Sequence, residues 1–156
     1  MHNTADLQDI VDEIAGLLGA SATLEDRSFR LLAYGAQHGD IDTVRQESIL
    51  RRRASPEVRD YFERYGIARA HGPVRIPADE GLKVLARICW PLRHGEVTYG
   101  YLWLLDSGSL TDARLGRVAP LVARAAAALA REARSRQDLG RRLDALLSPA
   151  PEERAA

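Results

Sequence analysis

The chain has 156 residues, 46% of them hydrophobic, with 22 acidic residues balancing 22 basic ones. That length suits one ordinary globular domain around a single core, and the charge balance removes the positive field on which non-specific nucleic-acid binding depends. The lone cysteine, Cys89, excludes an internal disulfide and a multi-cysteine metal site.

The amino terminus, MHNTADLQD, carries acids where a secretory signal carries basic residues and then an apolar run. No apolar stretch reaches the roughly 18 residues of a membrane span. The expectation is a cytoplasmic protein with no membrane contact and no direct DNA contact.

Leu7, Ile10, Val11, Ile14, Leu17 and Leu18 recur at spacings of three and four, which predicts an amphipathic helix over 5–18, capped by Thr4 or Asp6 and stopped by Gly19. Ser21 to Glu25 and Phe29 to Tyr34 read as a hairpin around Asp26-Arg27-Ser28. GAQHGD, from Gly35 to Asp40, reads as a loop before a helix capped near Asp40 or Asp42 and ending at Arg52. Its terminal Arg51-Arg52-Arg53 run suits a helix carboxyl end.

Ser55-Pro56-Glu57 is a helix start: serine caps exposed amides, and proline at the first position gives up a donor that had no partner. Val58, Tyr61, Phe62 and Tyr65 then share one face, and Gly66 closes the helix. GPVRIP, from Gly72 to Pro77, is a proline-bounded segment fit for a sheet edge, and ADEG at 78–81 is a turn.

Val84 to Leu92 and Val97 to Leu105 are apolar on both alternating sets, so both sheet faces must be covered. The alternation places Tyr99, Tyr101, Trp103 and Leu105 on one side. His94-Gly95 is the turn between them. Thr111-Asp112 caps a last helix with the stripe Leu115, Val118, Val122, Ala126 and Leu129, in which Pro120 predicts a kink or a new start. Leu139, Leu143, Leu146 and Leu147 continue an apolar seam, and SPAPEERAA reads as a disordered tail. The domain is thus expected over 5–137, with 138–156 an extension and tail or linker.

Catalytic chemistry is not evident. There is no phosphate loop, the histidines at 2, 38, 71 and 94 lack paired ligand spacing, and Cys89 lies between Ile88 and Trp90 where a thiol is inert. Neither a metal nor a cofactor is expected. Arg87 is the charged residue most in need of explanation, because its strand is buried on both sides. An internal carboxylate or a bound anionic ligand would each satisfy it, with Arg75 on the neighbouring segment sharing the second task. Tyr61, Tyr65, Tyr99 and Tyr101 offer rings and hydroxyls suited to an amphipathic ligand or to core packing.

GPVRIP, ARICWPLRHGEVTYGYLWLLD with its following Ala-rich helix, and ILRRRASPEVRDYFERYGIARA together resemble the amino-terminal GAF-like sensor domain of actinobacterial PucR/CdaR-type transcription regulators over 7–134. The resemblance implies an α+β, GAF/PAS-like antiparallel sheet, with both terminal helices packed on one face and short middle helices on the other. It implies regulation rather than catalysis, and an output domain absent from this chain. The expected function is a sensing domain that forms a homodimer through Leu7, Ile14, Leu18, Val122 and Leu129 and relays binding of a small-molecule effector or partner. The alternative is a ligand-free dimerisation or adaptor module.

Overall fold

A computed structural model describes residues 3–35 and 55–147. The helix expected to end at Arg52, its Arg51-Arg52-Arg53 run and the SPAPEERAA tail lie outside the described residues. The elements in order are α1 (Asn3–Leu18), β1 (Ala22–Asp26), β2 (Leu31–Tyr34), α2 (Pro56–Glu63), β3 (Val74–Ile76), β4 (Arg87–His94), β5 (Val97–Leu105) and α3 (Asp112–Leu147).

The local signals explain most of the boundaries. Helix α1 starts at Asn3, before either expected cap, and stops at Gly19, whose φ of 59° is the left-handed value that glycine takes freely. The Ser55 hydroxyl accepts from the Val58 amide and Pro56 opens α2. Likewise the Thr111 hydroxyl accepts from the Arg114 amide at the head of α3. Gly95, at φ 64°, turns β4 into β5.

The five strands form one antiparallel sheet in the order β2-β1-β5-β4-β3. On one face Ala22, Leu24, Ile88, Leu92, Leu102 and Leu104 pack against the buried sides of α1 and α3. On the other, Cys89, Tyr101 and Trp103 meet Val58, Tyr61 and Phe62 of α2, together with Phe29 and Ile67. This is the α+β arrangement that the GAF-like resemblance implies, with both terminal helices sharing a face.

Several details differ from the sequence reading. Strand β4 begins at Arg87, because Val84 closes a tight loop by exchanging backbone hydrogen bonds with Asp79. Leu17 leaves the apolar stripe of α1 and is 57% exposed. Helix α3 runs on through Pro120 without a new start; the exposed proline forfeits one donor, while Leu115, Val118, Leu121 and Val122 anchor both sides of it in the core.

Helix α3 also crosses residue 137 unbroken. At 36 residues it is about 54 Å long, and only its first half is spent on the sheet. From Arg134 onward every described residue is exposed, including Leu139, Leu143, Leu146 and Leu147. Among the described residues, no helix is long and apolar enough to cross a membrane.

Candidate functional site

The sheet face beneath α2 gathers the protein's buried polar chemistry. Alternation along β1 sends Thr23 and Glu25 to this face, and the register sets them opposite Trp103 and Tyr101 of β5. Cys89 lies across from Trp103 on the other side, and Arg87 across from Leu105. Glu25, Arg87 and Thr23 are each at most 4% exposed, and Cys89 is fully buried.

Two opposite charges therefore bracket one face. Their partners Tyr101 and Leu105 are four residues apart on β5, about 14 Å along the strand, so Glu25 and Arg87 stand at opposite ends of it. The contacts of Arg87 include a hydrogen bond from Nε to the Leu85 carbonyl at 3.1 Å and the face of Phe62, whose ring centre lies 5.1 Å from the guanidinium carbon. Buried charges are costly unless such groups surround them; the face is built to hold charge.

Aromatic rings occupy the space between. Phe62 and Trp103 have centroids 4.6 Å apart, and Phe29 meets Tyr101 and Trp103 edge to face. Tyr61 donates its hydroxyl to the Pro77 carbonyl at 2.6 Å and receives that of Tyr65 at 3.4 Å. Burial pushes the Tyr61 hydroxyl up to about 12, helped by its hydrogen bond with Tyr65. Burial first and the neighbouring Cys89 second raise Tyr101 to about 12 as well. The Cys89 thiol is held well above its ordinary value by burial and by the nearby Glu25 charge, so it stays protonated and unreactive.

Not all of the expected site residues meet here. Tyr61 and Tyr101 do, joined to Arg87 through Phe62, while Tyr65 sits at the rim, 38% exposed. Arg75 pairs with Ile88 rather than with Arg87 and so points to the opposite face. There it binds Asp106 at 3.1 Å, the Leu110 carbonyl at 2.7 Å and Asp112 at 3.2 Å, tying β3 to the head of α3.

Tyr99 is also turned away. The register steps from Leu92 opposite Gly100 to Arg93 opposite Thr98, which leaves Tyr99 as the extra residue of a β-bulge. Thr98 stays on the α2 side, where its hydroxyl donates to the Ala68 carbonyl. Tyr99 packs with the α1 and α3 layer instead. Period-two alternation cannot reveal a bulge, and it missed Glu25 and Phe29 because an acid in a short strand and an aromatic beside a turn look like ordinary surface and strand residues.

The five residues expected at a dimer seam, Leu7, Ile14, Leu18, Val122 and Leu129, are all at most 5% exposed inside the chain's own core. Helix and sheet packing consumes them, so a second copy would have to meet another surface.

No protein-family model matches the chain. Over 104 residues it is 24% identical to the DNA-binding transcriptional activator AdeR of Bacillus subtilis (strain 168), an alignment covering 64% of this chain and 25% of that protein. The chain thus spans about a quarter of the length of its curated relative. Among solved structures, the GAF domain/HD domain protein from Geobacter sulfurreducens is similar with a TM-score of 0.47 and 15% identity, over 83% of this chain and 97% of that one.

Proposed function

We propose that this chain is the sensory region of a transcription regulator, non-enzymatic in itself, which passes a binding event at the sheet to an output domain through α3. The carrying observation is the division of α3: Leu115 to Ala130 are buried against the sheet and α1, whereas Arg134 to Leu147 stand exposed with four leucines in helical spacing. A helix with those two halves links the core to whatever covers the second. The similarity to a DNA-binding transcriptional activator supports this reading.

The signal in this reading is a small molecule or peptide that engages the Arg87 and Glu25 face beneath α2. In the PucR/CdaR-like form of the proposal, the protein works as a homodimer whose contact is the exposed second half of α3. A thermal-shift screen of organic acids, purines and amino acids tests the sensing role: saturation at 100 times the dissociation constant adds about 2.7 kcal/mol. Absence of any response would favour the second reading, a scaffold without a ligand, which the Phe29, Phe62, Tyr101 and Trp103 ring packing supports. Light scattering across a concentration series tests the dimer separately.

A further inference from the structure

A second polar concavity lies on the sheet face opposite Arg87, where α3 passes the β1–β2 turn. It encloses about 180 Å³, room for about six water molecules. Leu32, Leu129 and Tyr99 give it apolar surface, while Arg27 brings charge from the hairpin and Glu132 and Arg136 bring it from α3.

Three features build this groove rather than leave it as a chance gap. The bulge in β5 delivers Tyr99 here, half-buried, in place of the small opening that strict alternation would leave. Gly100 beside it allows the sheet and α3 to close up, since a Cβ there would lie 3.1 Å from Leu129 Cδ1. The turn carrying Arg27 is fixed by the Asp26 carboxylate, which accepts from the Ser28 amide at 2.8 Å and the Arg30 amide at 3.0 Å.

The charges define the ligand class. Two guanidinium groups reach the groove from two different elements, and the carboxylates of Asp26 and Glu132 balance them. A bare anion would gain the arginines but face Glu132, and a bare cation would meet the reverse. A dipolar molecule with an apolar tail satisfies all three surfaces: carboxylate toward Arg27 and Arg136, ammonium toward Glu132, hydrocarbon on Leu32, Leu129 and the Tyr99 ring. We infer that this groove binds a free α-amino acid with an apolar side chain, bridging the β1–β2 turn to α3 at the last point where the helix touches the sheet.

The inference stands apart from the Arg87 face and does not depend on it. Isothermal titration of the 156-residue chain with L-leucine, L-isoleucine and L-phenylalanine is the test, with leucinamide and 4-methylpentanoate as probes lacking one charge each. Saturable binding of at least one amino acid is expected, and removal of either ligand charge should weaken it. The exposed-site variant Arg136→Ala should weaken binding by roughly tenfold or more, the loss of one charge-assisted hydrogen bond, and Glu132→Gln should do likewise. Tyr65→Phe, on the far face, should leave it unchanged. No heat with any of the three amino acids overturns the inference, as does equal binding of the singly charged analogues. A response that survives Arg136→Ala and is lost in Tyr65→Phe overturns the groove while leaving the sensory role of the α2 face standing.

Discussion

Phe29 and Tyr101 meet edge to face, with ring centroids 5.4 Å apart and planes at 76°, although Phe29 has a backbone φ of 63°. A left-handed backbone costs an ordinary residue about 1–2 kcal/mol. The buried ring, 1% exposed among Phe62, Tyr101 and Trp103, offsets that cost. Phe29→Ala should therefore destabilise the domain by about 3–5 kcal/mol, and Phe29→Gly by about 1 kcal/mol less, because glycine adopts the conformation without penalty. Urea unfolding of both variants measures this. Equal losses would mean that the turn is unstrained.

Gly100 is where β5 comes closest to its surroundings: an added Cβ would collide with the Glu25 carbonyl oxygen and crowd Leu129 Cδ1 at 3.1 Å. One obstacle is backbone and cannot rotate away. Gly100→Ala should cost about 1–3 kcal/mol through forced displacement of β1, read as a lower urea midpoint with little change in slope. An unchanged midpoint would show that the strands have slack.

The buried tyrosines set an alkaline limit. Tyr61 and Tyr101 are raised from 10.0 to about 12, so the folded protein keeps both protons where the unfolded chain releases them. Their contribution is complete below pH 10 and is lost as the pH climbs toward 12. Phenolate absorbance should show two tyrosines titrating late and together with loss of near-ultraviolet dichroism. Tyr61→Phe, which also removes the hydrogen bond to Pro77, should lower stability by about 0.5–1.5 kcal/mol at neutral pH and soften the alkaline decline.

Cys89 is fully buried and kept protonated. Ellman's reagent should label it only on the timescale of unfolding, and immediately in denaturant. Rapid native labelling would place the thiol in contact with solvent and reopen its chemistry.

The sequence revealed those parts of the fold whose signals are local. Ser55-Pro56 starts a helix through capping and a fixed φ, and Gly95 turns β4 into β5 through its own conformational freedom; neither needs tertiary context. The site required pairing that no local pattern carries. Arg75 and Arg87 looked like neighbours on adjacent strands, but the register sets Arg75 against Ile88 and thereby separates the two guanidinium groups by the thickness of the sheet. A single bulge residue turned Tyr99 away from Tyr101 while leaving the composition of β5 unchanged. Phe29 was legible as an apolar residue and illegible as a turn residue, because only the ring cluster compensates its backbone.

The three-residue strand β3 lies between Pro73 and Pro77 at one border of the sheet. Proline offers no amide for further pairing, so another chain finds almost no template there. Any strand added to this sheet, by a partner or by self-association during folding, would have to dock along β2.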